Sequence, residues 1–200
     1  SSDVCSSDLG VNGIAIGSSA GANTQDTGGI AIGTNAAVTR QGTNAVAIGV
    51  QAAQTTQGPN AVAIGNFAGQ TLQASASIAI GLSAGASTQG TNSIAIGVQA
   101  GQTLQGSGAV AIGNGAARLT QGINAIAIGN QAGITNQPSN SIVINASGTA
   151  MSGVANSGFY VNPMRNTTDT TSVMVYDSTN KEVRYSTRSE EHTSELQSRQ

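Results

Sequence analysis

Tryptophan is absent from this 200-residue chain, and its aromatic content stops at two Phe and three Tyr. A thick globular core is thereby excluded, because aromatic side chains carry the largest apolar areas. One Cys and one His are too few for a disulfide framework or a Cys/His zinc site. Charged residues make up only 8% of the chain, so no basic stripe exists to neutralise phosphates and nucleic acid is not an expected partner. Neither a signal peptide nor a transmembrane span is visible, and no direct membrane contact is expected. Low charge with abundant Gly, Ser, Thr, Asn and Gln would ordinarily read as disorder.

The lone thiol and imidazole, moreover, sit in foreign-looking termini. Residues 2–9 are a translation of TCAGACGTGTGCTCTTCCGATCT. The reverse complement of that oligonucleotide translates as residues 188–194 and begins the Glu195 codon. Residues 1–9 and 188–200 thus resemble translated sequencing adapters and are set aside. Cys5 and His192 go with them. The remaining charges are Arg40, Arg118, Arg165, Lys181 and Arg184 against Asp26, Asp169, Asp177 and Glu182.

That inventory leaves no catalytic chemistry. Without imidazole or thiol there is no triad, and no catalytic, cofactor-binding or metal-binding residue is expected. Asp169 and Asp177 read as solvated turn residues. The glycines open no helix and make no phosphate-binding motif. Asn145-Ala146-Ser147 and Asn166-Thr167-Thr168 fit the N-glycosylation pattern, a weak signal in so Ser/Thr-rich a chain.

What the chain has is a period. Gly17, Gly33, Gly49, Gly65, Gly81, Gly97, Gly113 and Gly129 fall sixteen residues apart, and Asn145 takes the ninth place. Ile precedes each of them, and Ile or Val stands two residues earlier, as in Ile14-Ala15-Ile16-Gly17 and Val46-Ala47-Ile48-Gly49. So strict a repeat marks a solenoid, whose units bury their apolar faces by stacking on copies of themselves. The β-branched pair predicts a short strand with Ile and Val on one face, taken to point inward, and Ala on the other. The Gly is expected at a corner of positive φ, and Asn145 fits because Asn tolerates that region. Five before the Gly stand turn formers: Asn12, Gly28, Asn44, Asn60, Ala76, Asn92, Gly108, Asn124 and Asn140.

The second half of the repeat is as regular. Ala20, Ala36, Ala52, Ala68, Ala84, Ala100, Ala116 and Ala132 stand three after the Gly. They offer either a flat face for subunit packing or a fit to a cramped coil interior. Gln25, Gln41, Gln57, Gln73, Gln89, Gln105, Gln121 and Gln137 stand eight after it. They suit either an amide ladder between coils or simply a turn. A second, weaker strand is expected through Thr39, Thr55, Thr71, Thr103 and Thr135, closed by a Gln-Gly turn.

Asn92-Ser93-Ile94-Ala95-Ile96-Gly97 and Asn44-Ala45-Val46-Ala47-Ile48-Gly49 resemble the head motif of YadA-like trimeric autotransporter adhesins, over residues 11–147. Similar repeats occur in phage and viral tail-fibre proteins. The resemblance implies an all-β, left-handed parallel β-roll with one sixteen-residue repeat per coil, assembled as a homotrimer. It implies a location at the bacterial cell surface or outer membrane, or in a virion fibre. The period is longer than is usual in that family. Apolar burial per coil is small against the entropy of ordering sixteen residues, which also favours a trimer over a lone thin roll.

Residues 10–147 are therefore read as the roll and 148–158 as a linker or cap. Residues 159–187 are read as a short β module, with a strand at Phe159-Tyr160-Val161 and a hairpin turning at residues 177–181. That module resembles one that follows repeat regions in phage and giant-virus fibres. The function expected is attachment of a fibrous adhesin head to a host-cell glycan or an extracellular-matrix protein. A structural spacer is the alternative, and an ice-binding solenoid a third reading. The candidate contact surface is the variable set after each Gly, including Val50-Gln51, Asn66-Phe67, Leu82-Ser83 and Val98-Gln99.

Overall fold

The computed structural model describes residues 9–152, 156–164 and 172–187. Cys5, Arg165, Asp169, the Asn166 glycosylation pattern and His192 lie outside them, as do residues 1–8 and 188–200. The chain forms two units, residues 1–163 and 164–200.

The first unit is a parallel solenoid. Ile14–Ile16, Ile30–Ile32, Val46–Ile48, Val62–Ile64, Ile78–Ile80, Ile94–Ile96, Val110–Ile112, Ile126–Gly129 and Ile142–Asn145 stack in order into one long sheet. Each residue faces its equivalent sixteen positions on, as Ala79 faces Ala95. The two-residue strands Arg40–Gln41, Thr56–Gln57, Leu72–Gln73, Thr88–Gln89, Leu104–Gln105 and Thr120–Gln121 form a second parallel sheet of six. They start one residue after the expected Thr column.

The faces of the first sheet are inverted relative to the sequence reading. The middle residues Ala31, Ala47, Ala63, Ala79, Ala95, Ala111, Ala127 and Val143 are fully buried, whereas Ile16 is 58% and Ile14 45% exposed. Ile and Val point outward. The reason is volume: the interior also holds the Ala column three after the Gly, wholly buried from Ala20 to Ala132, and the Gln column. Between two such layers there is no room for β-branched side chains from every coil. The same finding settles the role of the second Ala column, which fills the interior and offers no face to a neighbouring subunit.

The Gln column is a ladder. Gln25 Nε2 donates to Gln41 Oε1 at 2.9 Å, Gln41 to Gln57 at 3.1 Å and Gln57 to Gln73 at 3.0 Å. Gln105 donates to Gln121 at 3.1 Å and Gln121 to Gln137 at 3.2 Å. Each amide also bonds the opposite sheet's backbone, as Gln57 Nε2 bonds the Val46 carbonyl at 2.8 Å. A buried polar group is tolerated when its bonds are made, and here they join the sheets across the core. The ladder breaks at Gln89, whose Oε1 has no partner.

The corners are glycine corners as expected, with φ between +125° and +131° from Gly17 to Gly113. A Cβ on Gly81 would stand 2.6 Å from the Gly97 carbonyl oxygen, so the coils touch backbone to backbone there. Asn145 is different. It ends a strand without positive φ, is buried, and donates from Nδ2 to the Asn130 and Thr149 carbonyls at 2.8 and 2.6 Å. It ties down the end of the regular repeats and gives no licence for Asn at the corners. The turn formers five before the Gly do lie in the left-handed region, Ala76 among them at φ 54°.

The long sheet continues past Asn145. Phe159–Asn162 pairs in parallel with Ile142–Asn145, Ile142 facing Phe159. In the second unit Ser172–Asp177 and Glu182–Thr187 pair antiparallel as the expected hairpin.

Candidate functional surface

Because the interior is used up by Ala, Ser and Gln, what the solenoid can offer a partner lies on its outward surfaces, of which three stand out. The first is the outer face of the long sheet. Ile or Val flanks the middle residue of every strand there, in nine successive coils, and the row stays partly open to solvent, from Ile30 and Val46 to the more exposed Ile64, Ile112, Ile128 and Ile144. So continuous an apolar row is unusual on a folded surface.

The second surface is the turn after each corner, the contact set expected from the sequence. Val50, Leu82 and Val98 are 45%, 48% and 42% exposed. The next residue in each coil adopts the left-handed conformation, as Gln51, Phe67, Ser83 and Gln99 do at φ between 54° and 58°. Phe67 is half-buried there. The turn therefore shows one exposed side chain per coil with a strained neighbour behind it.

The third surface, which sequence reasoning missed, is the outer face of the six-stranded sheet. Arg40, Thr56, Leu72, Thr88, Leu104 and Thr120 form its outward column, the Gln beside each turning inward. A groove of about 330 Å³ crosses this face, lined by Asp26, Arg40, Thr56, Pro59, Leu72 and Ser75 among others. The sequence signal was charge depletion: Asp26, Arg40 and Arg118 are the only ionisable side chains from residue 10 to 163 other than Tyr160.

Among the described residues no group of His, Cys, Asp and Glu could hold a metal ion, and no helix is long and apolar enough to cross a membrane. Asp177 caps the hairpin turn. Its Oδ1 accepts from the backbone N–H groups of Thr179 and Asn180 at 2.9 and 3.1 Å, and its Oδ2 from Asn180 Nδ2 at 3.0 Å. Those bonds, the Asn180 backbone N–H first, hold its carboxyl below the ordinary carboxylate range. Asn145, the first residue of one glycosylation pattern, has its amide buried and committed to two carbonyls.

Neither a curated protein nor a solved structure matches the chain. The family model described as YadA head domain repeat (2 copies) matches residues 9–36, 41–68 and 74–100. Each matched stretch contains whole strand–corner–turn units of the solenoid, so residues 9–100 are built of YadA-like head repeats.

Proposed function

We propose that the chain is the head of a fibrous surface adhesin, a homotrimer closed through the Ile/Val face of its long sheet and exposed outside the cell or on a virion. The observation that carries this is the outward apolar row. Nine coils place β-branched side chains on one flat face, where a lone solenoid would leave them in water. At roughly 25 cal/mol per Å² of apolar surface, covering that row adds the stabilisation that an interior mostly of Ala, Ser and Gln lacks. Three copies set about one axis bring their rows together around it, and such a head-to-tail contact closes into a ring when the rotation closes. The turn surface and the six-stranded sheet remain for contacts to a host-cell glycan or an extracellular-matrix protein, and no enzymatic step is part of this reading.

Sedimentation of the chain at micromolar concentration tests the assembly, and the expected species is a trimer. Ile48→Ser, Ile80→Ser and Ile112→Ser together should dissociate it with the β-rich circular dichroism retained. A wild-type chain that sediments as a folded monomer sinks the proposal. Attachment is tested separately on glycan and matrix-protein panels. A trimer that binds nothing there leaves a structural spacer.

A further inference from the structure

We propose that the groove on the six-stranded sheet binds the carboxylated sugar unit of an acidic glycan, an assignment that rests on the adhesive reading above and names its ligand. The solenoid is almost free of charge. From residue 10 to 163 it carries Asp26, Arg40 and Arg118, and two of these three line one groove. Neither is required by the coil. At Arg40's place in later coils stand Thr56, Leu72, Thr88, Leu104 and Thr120. At Asp26's place stand Gly42, Gly58, Ala74, Gly90, Gly106, Gly122 and Pro138. Both side chains are exposed, and neither makes an ion pair or a side-chain hydrogen bond in the solenoid. The guanidinium and the carboxylate are therefore open to a ligand.

The rest of the lining selects the class. Leu72, 48% exposed, and Pro59 give the groove an apolar side, and Thr56 and Ser75 bring hydroxyls. A carboxylated pyranose matches all four features. Its carboxylate takes two charge-assisted bonds from Arg40, its hydroxyls donate to Asp26 and exchange bonds with Thr56 and Ser75, and its C–H face lies on Leu72 and Pro59. Nucleic acid fits poorly, because the groove has a single cation to set against a run of phosphates and no stacking aromatic. An added peptide strand fits poorly too, because the groove lies on the face of a sheet whose backbone is already paired. The volume, about 330 Å³, lies at the low end of the ~300–1,000 Å³ of small-molecule sites. The six-stranded sheet lies across the Ala and Gln core from the Ile/Val face, so a trimer closed on that face keeps the grooves open. Three such sites on one particle add avidity to a weak unit affinity.

The test is binding of the whole chain to oligosaccharides ending in a uronate or in a nine-carbon acidic sugar, beside carboxyl-reduced versions of each. Binding of either acidic series, weakened about tenfold on reduction, is the expected result. Preference between the two identifies which source supplies the carboxylate. Arg40→Thr and Leu72→Thr install the residue that Thr56, Thr88 and Thr120 already hold at that place, so the fold is kept. The first should weaken binding about tenfold and the second several-fold. Arg118→Gln removes the other cation of the solenoid at a place where Gln54, Gln70 and Gln102 stand in earlier coils, and should leave binding unchanged. Arg40→Thr binding like the wild type, or Arg118→Gln losing as much, overturns the assignment. If the wild type attaches to cells yet binds neither acidic series, the groove proposal fails and the adhesive reading stands. If it attaches to nothing, both fail.

Discussion

Gln57 and Gln89 occupy the same place in two coils and are equally buried, but they are bonded differently, which makes them a controlled experiment on the ladder. Gln57 takes part in four side-chain hydrogen bonds, accepting from Gln41 and donating to the Val46 and Ala61 carbonyls and to Gln73. Gln89 makes one, to the Ile78 carbonyl at 2.6 Å, and its Oε1 is orphaned. Methionine replaces either side chain at nearly constant volume. Nε2 has two hydrogens for its three acceptors, so these contacts amount to about three full bonds, and at about 0.5–1.5 kcal/mol net per bond Gln57→Met loses about 1.5–4.5 kcal/mol. Removing the buried amide offsets roughly 1 kcal/mol of that. For Gln89→Met the two effects are of similar size and the net change is close to zero. Stacked repeats need not unfold in one step, so a single melting temperature would blur the comparison. Native-state hydrogen exchange resolves it locally. The reporters are the Gly58 and Gly90 amides, which bond the Gln73 and Gln105 carbonyls at 2.8 and 2.9 Å. Protection at Gly58 should fall by roughly 2 kcal/mol in the first variant and that at Gly90 should barely move in the second. Equal losses would refute the ladder as a source of stability.

Two further outcomes follow from the corners and the hairpin. Gly81→Asn should destabilise the coil by about 2–3 kcal/mol in chemical denaturation, because φ is +126° and the new Cβ would press on the Gly97 carbonyl. The depressed carboxyl of Asp177 makes its contribution to the hairpin complete above the usual carboxylate range and lost as pH falls through it, from about 3.8 downward. Asp177→Asn should abolish that pH dependence, as followed by NMR of the Thr179 and Asn180 amides.

Stacking and strand positions were legible in the sequence because a sixteen-residue period constrains every coil alike. Which face turns inward was not. In Ile-Ala-Ile both faces are apolar, so alternation carries no polar marker, and the habit of placing the larger side chain inside gives the wrong parity. The usable signal was the middle position itself. It is Ala from Ala15 to Ala127, while the outer position drifts between Ile14 and Val46 or Val62. A small residue held through eight coils marks a position with no room for a larger one, although the outer Ile before each corner is equally constant. Asn145 misled for a related reason. Its likeness to the glycines lay in spacing alone, and its role comes from bonds to Asn130 and Thr149 that no local pattern encodes. The groove escaped because Asp26 and Arg40 belong to different coils and to columns otherwise held by Gly, Thr and Leu.

The constant register of the long sheet gives the molecule an adjustable reach. Each coil from Ile30–Ile32 to Ile126–Gly129 pairs only with the coil before and the coil after it, always sixteen residues away. Excising or duplicating one whole unit in the middle of the array therefore re-creates the junction it disturbs. The product differs by a single rung, about 4.8 Å of strand-to-strand spacing. A change of one or two residues has no such refuge, since it shifts the amide column and the glycine corner out of line with their neighbours. Genetic variation in length is thus filtered into steps of sixteen residues, and this part of the fibre works as a ruler marked in coils.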